Sequence, residues 1–204
     1  MVYDLGVALL PNDEIKKLMI ELNRMLKSSH EVSYELGDTN HPHLTLYQGT
    51  FESFEDVHKA VTGLDLNISE TEIVLKNLIL HPSNFLTFQC YQTERLQRLH
   101  ETVLNGASEV RLRDVPTIWE RNRVQFGPKQ QASIKRYGYP DALELFDPHF
   151  TIRRITAREF DRTAVITYLM QKAVPYIGYK LKPSAIVIYE LGIDAACVNP
   201  RRIK

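Results

Sequence analysis

The chain writes Pro-His-apolar-Thr-apolar twice, within HPHLTL at 41–46 and DPHFTI at 147–152. With 7 His and 10 Pro in 204 residues, one Pro-His-x-Thr is expected by chance only about 0.02 times. Two copies therefore mean that the chain builds one local unit twice. In a strand, residues i and i+2 share a face, so His43 and Thr45 project together and Leu44 and Leu46 project the other way. The second copy puts His149 and Thr151 on one face and Phe150 and Ile152 on the other. Pro42 and Pro148 favour an extended entry into each strand.

The surroundings repeat as well. Residues 2–10 read as a core strand, followed by an amphipathic helix over 11–29 with Ile15, Leu18, Met19, Leu22 and Met25 at helical spacing, and then by the strand 43–51. Residues 84–92 read as a strand, 93–106 as a helix from a Thr93 cap to a Gly106 stop, and 147–156 as the strand carrying the second motif. Between the units lie a helix over 53–64, capped by Ser53, and a strand over 70–82 that turns back through Pro82, Ser83 and Asn84. A helix over 127–138 starts at Pro128 and stops at Gly138. A helix over 157–174 and a broken strand over 179–192 complete the chain. Hairpin-like neighbours outnumber parallel crossovers, so the expected fold class is α+β. The expected arrangement is one domain over 1–204, with two similar lobes of antiparallel sheet and helices related by a pseudo-twofold and a cleft between them.

Composition sets the limits within which this unit works. Lys plus Arg equals Asp plus Glu at 25 each, so no overall basic field draws in nucleic acid, and an anion must be recognised locally. Cys90 and Cys197 form no CxxC, which fits a reducing compartment. The first residues lack a basic leader, and their apolar run is shorter than the roughly 20 residues of a membrane span. A cytoplasmic protein with no membrane partner is expected.

Two imidazoles and two hydroxyls converging on a cleft suit a phosphodiester. In-line displacement at phosphorus needs a base for the nucleophile and an acid for the leaving oxygen, and His titrates in range for either role. Hydroxyl donors at Thr45 and Thr151 can hold the non-bridging oxygens, so neither cofactor nor metal is required.

The tetrads HLTL and HFTI, about a hundred residues apart within duplicated strand and helix order, resemble those of the 2H phosphoesterase superfamily, which includes the 2'-5' RNA ligase-like and cyclic phosphodiesterase families. The resemblance implies a bilobal α+β fold and metal-independent opening of 2',3'-cyclic or related phosphates. It also implies catalytic His43 and His149, with Thr45 and Thr151 binding substrate, and a nucleotide or RNA end carrying a cyclic phosphate as partner. Many members carry a basic or aromatic residue just past the tetrad. Here those places hold Tyr47 and Arg153, which strict alternation puts on the face of the His and Thr.

Other readings fit parts of the pattern. The same cleft serves a 2',5'-phosphodiesterase acting on linear oligonucleotides, or a nucleotide- or RNA-binding module with little turnover. His41, His43, Asp147 and His149 make a rival metal-ligand set that leaves both threonines unexplained. His30, His58, His81 and His100 read as surface or capping residues, and Arg154 as a strand-end charge. The segment 110–140 mixes Arg111, Arg113, Arg121, Arg123, Lys129, Lys135 and Arg136 with Trp119, Phe126, Tyr137 and Tyr139. It reads either as a solvated loop with its aromatics packed on the core or as a surface that tracks a phosphate backbone.

Overall fold

A computed structural model of the chain describes residues 1–26, 34–81, 84–122, 126–155 and 162–203. The expected end of the first helix with His30, the turn residues Pro82 and Ser83, Arg123, and the start of the 157–174 helix lie outside them. The elements in order are β1 (Tyr3–Leu10), α1 (Asp13–Met25), β2 (Leu44–Phe51), α2 (Phe54–Thr62), β3 (Ile73–Leu80), β4 (Phe85–Cys90), α3 (Glu94–Glu109), α4 (Ile118–Asn122), α5 (Pro128–Tyr137), β5 (His149–Arg154), α6 (Arg162–Ala173), β6 (Lys180–Leu181), β7 (Ala185–Leu191) and β8 (Cys197–Arg202). The fold is α+β.

Helix starts follow local chemistry. Asn12, Ser53 and Thr93 each accept a hydrogen bond from the backbone N–H three residues on, satisfying a donor that has no partner within the helix. Helix α5 has Pro128 in its first turn and ends where Gly138 takes φ 73°, its N–H donating to Ile134 O. Helix α3, by contrast, runs through Gly106 to Glu109. A Cβ on Gly106 would lie 2.8 Å from Leu64 Cδ1, so this glycine is used for close packing against Leu64 and not as a stop.

Among the described residues eight strands form one sheet in the order β6-β3-β4-β5-β2-β1-β7-β8, with every pairing antiparallel. Strands β1 and β2 flank α1 in sequence and pair as neighbours, as β4 and β5 do around α3. The broken strand expected over 179–192 is two strands in different halves: β6 pairs with β3 at one edge and β7 with β1 towards the other. Strand β8, containing Pro200, was not expected. It lies at a sheet edge, where a missing N–H is tolerated.

The join between β6 and β7 dictates the shape of the sheet. In a flat sheet these strands would stand six spacings apart, about 29 Å. Three residues, Lys182 to Ser184, separate them in sequence and reach about 15 Å when fully extended. The sheet must therefore curl. Its helix-covered face carries the large core, including Leu5, Leu9, Met19, Leu44, Phe88, Val103, Phe150 and Ile152, all 0–1 % exposed. Burying each such side chain contributes about 1.5–3 kcal/mol. The other face carries a small cluster of Ala8, Ala185, Val187, Tyr189 and Cys197.

Candidate active site

The two motif strands lie side by side. Strands β2 and β5 pair at Leu44↔Phe150, and both side chains are buried in the large core. The antiparallel sense turns His43 towards Thr151 and Thr45 towards His149, on the face away from that core. The Thr45 partner on β1 is Ala8, a member of the small cluster on that face.

Both histidines are held in the same way. His43 Nδ1 lies 2.8 Å from the carbonyl oxygen of His41, and His149 Nδ1 lies 2.7 Å from that of Asp147. A carbonyl only accepts, so each Nδ1 carries a proton and each Nε2 is the nitrogen left to exchange one. The proline between donor and acceptor fixes φ, which explains why the repeated motif includes it. His43 is 6 % exposed, and its pKa is pushed down to about 4. Burial dominates, the His41 carbonyl opposes, and the nearby charges of His149 and His41 add to the fall. His43 is thus neutral at pH 7, with Nε2 a proton acceptor, whereas His149 is less buried.

Each threonine hydroxyl meets a tyrosine. Gln48 Nε2 donates to the Tyr189 hydroxyl at 2.6 Å, leaving the phenol O–H to address Thr45 Oγ1, 3.4 Å away. The Tyr189 ring lies 5.0 Å from that of His43 and rests on Gly6, where a Cβ would stand 2.3 Å from its Cζ. On the other motif, Thr151 and Asn40 lie near the Tyr34 hydroxyl and favour its charged form, although burial outweighs them. Burial pushes both phenols well above their ordinary range, so both remain donors. Neither tyrosine was picked out from sequence. The one signal was Gly6 inside an apolar strand, which marks a close approach.

Tyr47 and Arg153 are not where alternation put them. On β2 the register passes from Ala8↔Thr45 to Val7↔Tyr47, and on β5 from Thr87↔Thr151 to Leu86↔Arg153. Leu46 and Ile152 are therefore extra residues, one bulge at the same place in each motif, and each turns the residue after it to the core side. Tyr47 is 0 % exposed and donates to the Tyr137 carbonyl at 2.7 Å, and Arg153 is 1 % exposed opposite Leu86.

Two histidines read as surface or capping residues are also relocated. His100 is wholly buried, its ring stacked on Phe146 at 4.1 Å. His81 bonds Thr87 Oγ1 through Nε2 at 2.8 Å and stands 6.1 Å, ring to ring, from His149. Asp141, which the sequence did not mark, feels the His149 charge, although burial raises its carboxyl overall. In the 110–140 segment the aromatics pack inwards: Trp119 meets Phe126 and Tyr139. Arg111 is buried and donates to Arg136 O, and Arg121 pairs with Asp4. Lys129, Lys135 and Arg136 are exposed. Arg154 pairs with Asp194 at 2.9 Å, as a strand-end charge should. Among the described residues no group of three or more His, Cys, Asp or Glu is arranged to hold a metal ion, and no helix is long and apolar enough to cross a membrane.

Solved structures match over nearly the whole chain. Escherichia coli LigT complexed with phosphate aligns with TM-score 0.51 and 13 % identity, over 98 % of this chain and 95 % of that one. LigT complexed with NADP+ gives 0.51 and 15 % over the same shares. The Thermus thermophilus protein TT0787 gives 0.54 and 15 %, over 97 % of this chain and 94 % of that one. The chain has the LigT fold. By sequence alone, no protein-family model and no curated protein matches, so the likeness to LigT lies in the course of the backbone.

Proposed function

We propose that this chain is a 2H phosphoesterase that hydrolyses a 2',3'-cyclic phosphate on a nucleotide or an RNA end, with its own side chains supplying all the catalytic groups. The observation that carries the reading is the matched pair of Nδ1–carbonyl bonds at His43 and His149, which leaves two Nε2 atoms available on the face that holds both threonines. The LigT complexes with phosphate and with NADP+ add support, since both ligands carry phosphate oxygens. The halves β6-β3-β4-β5 and β2-β1-β7-β8, meeting at the motif strands, fit an approximate twofold with the cleft along its axis.

The roles follow from burial. His43, neutral and enclosed, takes the proton of the attacking water through Nε2. His149, closer to solvent, acts as the imidazolium: it delivers its Nε2 proton to the leaving ribose oxygen and keeps the Nδ1 proton on the Asp147 carbonyl. Water adds at phosphorus as the ring P–O bond breaks, giving a phosphomonoester and a free hydroxyl. Thr45 and Thr151 donate to the non-bridging oxygens as charge develops, each backed by a protonated phenol.

The test is to incubate the protein in EDTA with 2',3'-cyclic nucleotides, cyclic-ended RNA and 2',5'-linked dinucleotides, and to identify the products. Ring opening to one monophosphate isomer is the expected result. Cleavage of the linear 2',5' substrates alone would replace this reading with the linear phosphodiesterase, and binding without turnover would replace it with a binding module.

A further inference from the structure

The two bulges leave the carbonyls of Leu46 and Ile152 outside the regular ladder, directly after the threonines of the site. Each carbonyl is taken by a fully buried polar side chain from a helix on the core face. His100 Nδ1 donates to Leu46 O at 2.7 Å, and Asn23 Nδ2 donates to Ile152 O at 2.7 Å. The partners cross over: Asn23, on the α1 that follows β1, serves β5, while His100, on the α3 that follows β4, serves β2.

Both clamps are fixed from behind. His100 Nε2 accepts from Leu143 N–H at 3.0 Å, so its ring is the neutral Nδ1–H form, consistent with a pKa that burial lowers to about 4. Asn23 also donates to Tyr34 O at 2.9 Å and accepts from Leu36 N–H at 3.2 Å. It therefore also holds the residue whose hydroxyl meets Thr151. A core needing only volume would use leucine at both positions. A buried polar side chain with its hydrogen bonds made instead specifies one geometry.

We infer that His100 and Asn23 are matched positioning residues, which pin the bulges after Thr45 and Thr151 and thereby set the pitch of each hydroxyl relative to the paired imidazoles. The inference rests on the proposed phosphoesterase reading for its assay, and on the bulges alone for its geometry.

The experiment is a pair of double-mutant cycles read as kcat on a 2',3'-cyclic nucleotide. H100Q removes the donor at the Nδ1 place, whereas H100N keeps an N–H there. The expected result is a loss of about tenfold or more for H100Q, with most of it recovered in H100N and KM little changed. On a Thr45→Ala background H100Q should cost less than about twofold, because its effect passes through that hydroxyl, while on Thr151→Ala it should keep its full cost. N23D should show the opposite pattern, coupled to Thr151 and additive with Thr45. Equal costs on both backgrounds, or equal losses in H100N and H100Q, would reduce these residues to ordinary core and overturn the inference. If H100Q fails to give a folded NMR spectrum, the N23D cycle decides alone. If the wild type turns over no cyclic nucleotide, the same cycles are read as affinity for inorganic phosphate from the His43 and His149 ring signals. Crossed coupling there would keep the positioning role while the hydrolase reading fell.

Discussion

Leu44 lies opposite Phe150 where the two motif strands meet, so one buried apolar pair fixes the spacing of the polar groups on the reverse face. Phe150→Ala should destabilise the protein by about 3–5 kcal/mol and Leu44→Ala by about 2–5 kcal/mol, measured by urea unfolding. In the variants that remain folded, turnover should fall while the unfolding slope stays unchanged.

Replacing either His43 or His149 by Ala should lower turnover by about 10²- to 10⁴-fold with much smaller changes in affinity. The double variant should be little worse than either single one, since a displacement needing acid and base together is disabled by losing one. Single-turnover measurements in chelator check this. Wild-type turnover in His149→Ala would remove the pair from the mechanism.

The phenol behind each threonine should matter less than the threonine itself. Tyr189→Phe and Tyr34→Phe should each cost about tenfold in kcat, against about 10²- to 10³-fold for Thr45→Ala or Thr151→Ala. Gly6→Ala should instead lower stability by about 1–3 kcal/mol, because the new methyl meets the Tyr189 ring. Thermal melting separates the two classes.

Arg153→Ala tests the bulge on β5. A buried Arg153 predicts a loss of about 2–5 kcal/mol of stability, where a cleft-edge cation would have raised KM at unchanged stability. Calorimetry beside steady-state kinetics distinguishes these outcomes.

Acid should destabilise the fold through its histidines. Burial pushes His43 and His100 down to about 4, and His41 and His81 are also lowered by burial. A lowered histidine pKa means that the unfolded chain binds the proton first. The associated stability is complete above about pH 6.5, falls as pH drops through that value, and levels off below about 4. His43 and His100 each contribute roughly 3 kcal/mol at most to that loss. Asp141, raised by burial, works in the opposite direction as it takes up its proton. Urea midpoints from pH 7 to 4 should fall, and less steeply in a folded H100N variant.

Much of this was legible because it is local. Periodicity marked β1, α1, β4 and α3; side-chain caps marked the starts of α2 and α3; and the repeated tetrad marked the two strands that meet at the centre. What escaped depends on partners remote in sequence. Leu46 and Ile152 look like any strand residue, and the donors that meet their carbonyls come from 54 and 129 residues away. The bulges were therefore invisible, and with them the true facing of Tyr47 and Arg153. Tyr34 and Tyr189 went unmarked for the same reason, since each becomes notable only once it sits beneath a threonine.

The three residues Lys182–Ser184 join β6, at one edge of the sheet, to β7 in the other half. They therefore act as a strap across the open side of the curl, setting an upper limit on how far the halves carrying His43 and His149 can spread. On the proposed function, a phosphate bridged by both imidazoles would need that limit to be short. On the same reading, lengthening the strap with Gly and Ser would relax the curl without altering His43, Thr45, His149 or Thr151, so the room left for a substrate would depend in part on a loop outside both motifs.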